Sequence, residues 1–245
     1  MKHDGPDDAP LTPPAAPQGA AAVFGARLSE AEAFVAHLAD TGVSHGLIGP
    51  REVPRLWERH VLNCAVVADA FPRDAVVVDV GSGAGLPGIA VAIARPDLHV
   101  RLVEPMLRRT TWLETVVADL GLDGSVSVHR GRAEEVAPEV TSPWVTARAV
   151  ARLDKLARWC VPLLAPGGTL VAMKGRSADE ELAECRRTLR RLGVVDARVT
   201  SHGAAVLAEP VLTVDCTIGD TAASSTVRGA RGTGPGRAGG RSRRR

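Results

Sequence analysis

A glycine-rich stretch beside a carboxylate is the part of the sequence that most directly indicates ligand binding. Residues 77–88 read VVDVGSGAGLPG, with glycines at 81, 83, 85 and 88 and with Asp79 two residues before the first of them. Glycines let a backbone approach a nucleotide closely, and G-x-G-x-x-G is the usual signature of NAD. NAD would place a pyrophosphate near Asp79, which would repel it, and Pro87 has no N–H to donate. A ligand with cationic groups, such as S-adenosyl-L-methionine, suits this carboxylate better.

A second acid supports an adenosine ligand. Glu104 ends the apolar segment HVRLVE, residues 99–104, and a carboxylate at a strand end can accept hydrogen bonds from both ribose hydroxyls. The alternative is a solvated acid at a strand end. From the residues alone, the predicted cofactor contacts are Asp79, Ser82, Gly83, Gly85 and Glu104.

The elements that would position these residues alternate between strands and helices. Apolar runs predict strands at 75–80, 99–104, 125–130, 144–150, 169–174, 194–200 and 210–218. Helical spacing predicts helices at 87–94, 106–120, 153–164 and from 177 to about 193. This pattern predicts an α/β, Rossmann-like, doubly wound and mostly parallel seven-stranded sheet, with an antiparallel strand at its end.

The remaining segments differ in composition. Residues 1–20 are rich in Pro, Ala and Asp and are predicted to be disordered. Residues 21–72, with a helix from Pro54 to about Phe71, are predicted to form an N-terminal helical cap subdomain before the ligand-binding domain at 73–219. Residues 220–245 form an Arg/Gly-rich basic tail that is also predicted to be disordered, and its part 221–245 holds seven Arg and no acid.

Composition excludes several classes of protein. The net charge is only +2, so any affinity for polyanions has to lie in the tail or in a local patch. The four cysteines are far apart and lack a C-x-x-C, which argues against a zinc site or a disulfide framework. No signal peptide or membrane span is evident. We therefore expect a cytoplasmic protein without a metal site, and we also expect a monomer.

A second motif agrees with the first. Leu164-Ala165-Pro166-Gly167-Gly168 precedes the fifth predicted strand and resembles the L-x-P-G-G turn of class I methyltransferases. Together with residues 78–85, this resemblance implies a methyltransferase that uses S-adenosyl-L-methionine.

The residues at the end of the fourth predicted strand limit which kinds of atom could accept the methyl group. The stretch 146–150 reads TARAV, not the Asp/Asn-Pro-Pro-Tyr/Phe motif common in adenine amino methylation. Carbon-5 methylation of pyrimidines needs a cysteine nucleophile, and Cys160 lies within a predicted helix as a core residue. Arg148 cannot act as a base. It therefore suits an acceptor such as guanine N7, which carries no proton that has to be removed. A salt bridge inside the crevice is an equally good interpretation of Arg148.

The combination resembles the RsmG (GidB) family of bacterial 16S ribosomal RNA guanine-N7 methyltransferases. The matching segments, in the family's order, are RHVLNC at 59–64, GSGAGLPG at 81–88, RAEE at 132–135, RAVA at 148–151 and MKG at 173–175. The resemblance implies methylation of one guanine, position 527 in the standard numbering of that RNA. It further implies cofactor contacts at Gly81, Leu86, Ala133, Glu134 and Arg148, the last of which also positions the reactants.

The sequence departs from the family where Leu86 replaces the usual Phe and where Asn63-Cys64 replaces Asp-Ser. Predicted RNA contacts are Arg59, His60 and Asn63 on the cap and Arg130, Arg132, Lys174 and Arg176 at strand ends, forming a basic rim. His60 and Asn63 could equally brace the cap. The implied partner is 16S ribosomal RNA or the small ribosomal subunit. Competing functions are an RNA-binding module without activity and an NAD-dependent oxidoreductase, although a chain without Tyr has no Tyr-x-x-x-Lys pair.

Overall fold

A seven-stranded mixed sheet forms the centre of the protein. The computed structural model describes residues 12–148 and 151–220. The strands are β1 Val76–Val80, β2 His99–Glu104, β3 Val126–Arg130, β4 Ser142–Arg148, β5 Leu164–Lys174, β6 Val194–His202 and β7 Val211–Ile218. They lie in the order β3-β2-β1-β4-β5-β7-β6, which confirms the predicted fold class. One detail differs: the antiparallel β7 lies between β5 and β6, because β6 and β7 form a hairpin that inserts its second strand beside β5.

Helices cover both faces of the sheet. They are α1 Gln18–Phe24, α2 Leu28–Ala39, α3 Thr41–Ser44, α4 Leu62–Ala65, α5 Gly88–Ala94, α6 Leu107–Asp119, α7 Ala133–Val140, α8 Leu153–Cys160 and α9 Ala178–Arg191. One apolar core joins α1, α2, α4, α5 and α6 to the first face, and a second core joins α7, α8 and α9 to the other. Burial on both faces explains why β1 is apolar except for Asp79.

The N-terminal helical cap, residues 18–70, shares its core with the sheet. Its second half is a continuous but irregular helix, with a 3₁₀ segment Pro50–Arg55, a π-helical turn Leu56–Val61, α4, and a 3₁₀ segment Val66–Ala70. A regular α-helix was predicted from Pro54 to about Phe71, and these shorter helical segments are found in its place. Because Phe34, Leu38 and Leu56 are packed in one core with Ile89 and Ile93 of α5, the cap is fixed to the sheet.

Ordered structure begins earlier in the chain than the sequence indicated. The predicted disordered segment 1–20 overlaps α1, in which Ala20 is fully buried. The indole Nε1 of Trp57 also donates a 2.9 Å hydrogen bond to the carbonyl of Pro14. The prediction for 12–20 is therefore corrected. Residues 1–11 and all but the first residue of the predicted basic tail lie outside the described residues.

The described ranges lack two kinds of feature. Within 12–148 and 151–220, no helix is long and apolar enough to cross a membrane. The same ranges contain no group of three or more His, Cys, Asp or Glu side chains suited to hold a metal ion. All four cysteines are buried and free.

Candidate cofactor and acceptor site

The glycine loop after β1 folds back over the end of β2. Its first three glycines have positive φ angles of 72°, 54° and 77°, a conformation that favours glycine. The amides of Gly81 and Ser82 donate to the carbonyl of Val103 at 2.8 and 3.2 Å. The amide of Gly83 instead donates to Oε2 of Glu104 at 3.1 Å. The loop is thereby held against the strand end that carries the second predicted acid.

Glu104 is a buried residue held by backbone hydrogen bonds, and it is not a solvated acid. It is 1% exposed, and its Oε1 accepts a 3.1 Å hydrogen bond from the amide of Met106. Arg109 Nη1 lies 3.6 Å from Oε2. A carboxylate has four acceptor positions, and the two amide hydrogen bonds occupy two of them, so two lone pairs remain for further donors. Vicinal ribose hydroxyls are donors of this kind.

A cavity of about 340 Å³ opens beside Glu104, which is the size of a small-molecule site. Its lining comes from the ends of β1, β2 and β3 and from α6, α7 and α8: Val80, Gly81, Val103, Glu104, Pro105, Met106, Arg109, Gly131, Arg132, Ala133, Glu134 and Trp159. Four predicted cofactor contacts, Gly81, Glu104, Ala133 and Glu134, therefore meet at one cavity. Its walls are largely apolar or backbone, which suits a purine ring.

Arg109 and Trp159 are two of the seven lining residues that were not predicted. Arg109 follows β2 by one helical turn, so its place after a strand end was a usable signal. Its Nε is buried and has no hydrogen-bond partner among the described residues. Trp159 belongs to α8, which follows β4 in the chain, and no sequence pattern indicated that it would line this cavity.

The remaining loop residues lie beside the cavity and outside its lining. Ser82 and Leu86 are 1% and 7% exposed, and Ser82 Oγ donates to the carbonyl of Asp79 at 3.0 Å. Gly85 is packed so closely that a Cβ there would lie 2.4 Å from Ile89 Cδ1. Gly83 has open space on its Cβ side, where a carbonyl at 3.7 Å is the nearest atom. Ser82, Gly85 and Leu86 thus stabilise the conformation of the loop through packing and hydrogen bonding on its buried side.

Asp79 is fully buried beneath the loop and does not line the cavity. Its Oδ2 accepts a 3.0 Å hydrogen bond from the amide of Gly88, while Oδ1 has no partner among the described residues. Burial away from water raises the pKa of this carboxyl to about 7. Arg148 and Glu104 are the charged groups that act on it.

Arg148 also lies outside the cavity lining, at the end of β4 and against the cap. Its Nη1 donates to the carbonyl of His60 at 3.3 Å and to Sγ of Cys64 at 2.9 Å. Its Nη2 lies 2.6 Å from Nδ1 of His60. The other ring nitrogen of His60, Nε2, lies 2.9 Å from Oε2 of Glu52. The cofactor contact of Arg148 therefore stays a prediction, and the side chain contacts the cap where the alternative interpretation expected a salt bridge.

The predicted RNA contacts divide into two groups. Arg130 and Arg132 are exposed at the end of β3, and Arg132 lines the cavity. Arg59 and Arg176 are exposed but lie beside acids, with Glu52 Oε1 at 3.7 Å from Arg59 Nη1 and Glu209 in contact with Arg176.

Two of the predicted RNA contacts, Lys174 and Asn63, form hydrogen bonds within the protein. The Lys174 side chain is only 9% exposed, and its Nζ donates to the carbonyl of Ala151 at 3.0 Å and to Oε1 of Glu181 at 3.1 Å. Lys174 thus forms an internal ion pair with Glu181 and is not part of the predicted basic rim. Asn63 donates to the carbonyl of Glu58 at 2.9 Å and so braces its own helix.

Cys160 fits its prediction as a core residue. It is fully buried, and burial raises the pKa of its thiol far above the usual range. A thiol that stays protonated is a poor nucleophile.

Comparisons with known proteins show which family the chain resembles. Residues 27–208 match the family model described as rRNA small subunit methyltransferase G. A protein of Renibacterium salmoninarum named ribosomal RNA small subunit methyltransferase G is 54% identical over 197 residues, which cover 80% of this chain and 92% of that protein.

Solved structures show a similar fold. The mitomycin 7-O-methyltransferase MmcR has a TM-score of 0.52 at 16% identity, covering 80% of this chain and 67% of that one. The S-adenosylmethionine-dependent methyltransferase SibL has a TM-score of 0.51 at 18% identity, covering 81% and 60%.

Proposed function

The chain belongs to the rRNA small subunit methyltransferase G family, and from this premise we propose that it transfers a methyl group from S-adenosyl-L-methionine to N7 of one guanine in 16S ribosomal RNA. The observation that carries the proposal is the cavity at the ends of β1, β2 and β3, together with Arg148 at the end of β4, whose guanidinium cannot act as a general base. Guanine N7 has a lone pair in the ring plane and no proton to lose.

The cavity fits the adenosine part of the cofactor. Glu104 would accept the ribose hydroxyls, and Ala133 and Glu134 would lie at the adenine edge. The glycine loop would follow the chain that carries the sulfonium and ammonium groups. When bound, the cofactor supplies an electrophilic methyl group, and these residues hold it in place.

Asp79 supports a cationic ligand in an indirect way. Its carboxyl is buried below the loop with one oxygen unsatisfied, so a positive charge above the loop would favour ionisation of the carboxyl. A pyrophosphate would have the opposite effect. The same residue that argued against NAD in the sequence therefore favours S-adenosyl-L-methionine in the fold.

Orientation is the main task left for the protein at the acceptor. A guanidinium is planar and always charged, so Arg148 can stack on a base or hold a phosphate, but it cannot remove a proton. Bringing N7 in line with the methyl group makes the transfer effectively unimolecular, and orientation of this kind accounts for large rate factors. A base in an RNA loop can be unstacked to reach the crevice at modest cost.

Two further parts of the proposal concern the compartment and the oligomeric state. Ribosomal RNA as substrate places the protein in the cytoplasm, where buried free cysteines such as these stay reduced. We also propose that the active form is a monomer.

The test uses RNA from cells that lack the gene. Borohydride and aniline cleave RNA at N7-methylguanine, so cleavage in the small-subunit RNA should vanish on deletion and return with the intact gene. It should not return with Arg148→Ala. Purified protein added to naked RNA and to isolated subunits from the deletion strain then shows which of the two is the substrate. Cleavage that persists without the gene would remove the assignment, and RNA binding without methyl transfer would leave an inactive binding module.

A further inference from the structure

The cap contacts the end of β4 through a cluster of hydrogen bonds around Arg148. One helical stretch, 60–64, supplies the three acceptors of the guanidinium: the carbonyl and Nδ1 of His60, and Sγ of Cys64. The side chain of His60 is 13% exposed, and Cys64 is fully buried. The Arg148 side chain is therefore fixed on one side by the cap, which leaves its planar fork with little freedom.

The protons of this cluster can be assigned from chemistry. A guanidinium only donates hydrogen bonds, so His60 Nδ1, at 2.6 Å from Arg148 Nη2, has to be the acceptor. The imidazole is then neutral and carries its proton on Nε2, which donates to Glu52 Oε2 at 2.9 Å. Glu52 thus selects the tautomer in which the Nδ1 lone pair faces Arg148. The opposite tautomer would place an N–H against another N–H.

We propose that Glu52 and His60 are positioning residues for Arg148, which hold its guanidinium in the orientation that the acceptor base requires. The catalytic consequence rests on the proposed function; the arrangement of the three side chains does not. Neither Glu52 nor His60 lines the cavity at Glu104, so their effect should fall on turnover and not on the affinity for S-adenosyl-L-methionine.

The arrangement is sensitive to acid. The charged groups that face His60 are Glu52 from the 3₁₀ segment, Arg59 beside it, and Arg148 from β4, with Asp79 acting on Arg148 from below. Burial lowers the pKa of His60, and the two arginines lower it further, while Glu52 opposes them. Once His60 is protonated, Nδ1 becomes a donor and loses Arg148. We therefore expect an acid limb in the pH profile of turnover that belongs to His60.

The experiment compares His60→Ala, His60→Asn and Glu52→Gln. We expect His60→Ala to lower kcat roughly 100-fold, the loss that a misplacement of about 1 Å causes. Its affinity for S-adenosyl-L-methionine, measured by calorimetry, should stay within about twofold. His60→Asn keeps an acceptor and cannot protonate, so it should recover part of kcat and lose the acid limb. Glu52→Gln keeps an acceptor without the charge, so the acid limb should move to lower pH.

A matched control comes from the same cap. His45 follows α3, and its Nδ1 lies 2.8 Å from the carbonyl of Thr41, a contact local to one turn. His45→Ala should leave kcat and the pH profile unchanged, which separates positioning of Arg148 from general damage to the cap. Thermal unfolding of each variant confirms that the fold is kept.

A spectroscopic measurement separates the inference from the proposed function. Nitrogen NMR of the full-length protein at neutral pH should show His60 with an unprotonated Nδ1 and a protonated Nε2, and Glu52→Gln should change this spectrum. A protonated Nδ1, or wild-type kcat in His60→Ala, would overturn the inference. If the wild-type protein transfers no methyl group to small-subunit RNA, the proposed function is overturned instead. The NMR measurement of the His60 tautomer would then be the remaining test of the inference.

Discussion

The two halves of the site are built in different ways. The half formed by β1, β2 and β3 is an open cavity whose contacts are backbone amides, glycines and the buried Glu104. The half formed by β4 and the cap is filled, and its contacts join the side chains of Arg148, His60 and Glu52. An open half suits a ligand of fixed shape, while a braced side chain suits the orientation of a large acceptor. The comparison predicts that variants in the two halves separate cofactor affinity from turnover.

The largest effect is expected in the open half, from Gly83→Val. Gly83 has a φ of 54°, and its amide donates to Glu104, so a β-branched residue would strain the loop and move that amide. We expect the affinity for S-adenosyl-L-methionine to fall by about 100-fold or more, which corresponds to about 3 kcal/mol, as measured by calorimetry.

The control for this variant is Gly121→Val. Gly121 has a similar φ of 63° and has nothing within 4 Å of an added Cβ. It carries the same backbone strain at the end of α6, far from the loop. Equal losses of affinity in the two variants would mean that Gly83 acts only through stability, and an unchanged affinity in Gly83→Val would place the cofactor elsewhere.

The next effect is expected in the filled half. Arg148→Ala should lower kcat roughly 100-fold through lost orientation, and Arg148→Lys should restore little, because a point charge cannot replace a planar fork. Affinity for S-adenosyl-L-methionine should change by less than about threefold, since Arg148 does not line the cavity. Steady-state kinetics with saturating RNA measure kcat, and calorimetry measures the affinity for S-adenosyl-L-methionine. A large loss of cofactor affinity in Arg148→Ala would contradict the separation of the two halves.

The same difference explains what the sequence could predict. Gly81, Glu104 and Ala133 follow strand ends, and the carboxyl ends of parallel strands meet at one edge of a sheet, so their meeting at one cavity was predictable. The fold class was predictable for the same reason, because alternating strands and helices allow few topologies.

The filled half was less predictable because it depends on tertiary contacts between distant segments. Arg148 and His60 are 88 positions apart, and no periodicity indicates that their side chains meet. Lys174 ends a strand as expected, yet it faces α9, where Glu181 binds it. Which face a strand-end side chain takes is a matter of register and packing, and the sequence pattern did not resolve it here.

A smaller effect is expected from Asp79→Asn beneath the open half. The carboxyl pKa is raised to about 7 by burial, so the folded protein keeps this proton at pH values where the unfolded chain has lost it. The stability that Asp79 contributes is therefore fully present below its unfolded pKa and is lost as pH rises through about 7. Asn does not titrate. The difference in free energy of unfolding between wild type and Asp79→Asn should thus fall by roughly 1–3 kcal/mol between acid and neutral pH in urea titrations. A constant difference would show that the carboxyl has an ordinary pKa.

The smallest effect distinguishes a true rim residue from an internal one. Arg132 is exposed at the mouth of the cavity, whereas Lys174 is held by Glu181 and by the carbonyl of Ala151. If RNA phosphates lie at the mouth, Arg132→Ala should flatten the slope of log affinity against log salt by about 0.7, the value for one contact with a single strand.

Lys174→Ala should leave that slope unchanged and lower the free energy of unfolding by about 1–3 kcal/mol, because Glu181 loses a buried charged partner. RNA-binding titrations at four or more salt concentrations, together with urea unfolding, measure both quantities on the same proteins. The reverse pattern, with the slope changed only in Lys174→Ala, would mean that RNA approaches from the β5 side and that the mouth of the cavity at β3 stays free. The acceptor base would then enter past Arg148 from the side opposite to the cap, because the cap already occupies the other side of that guanidinium.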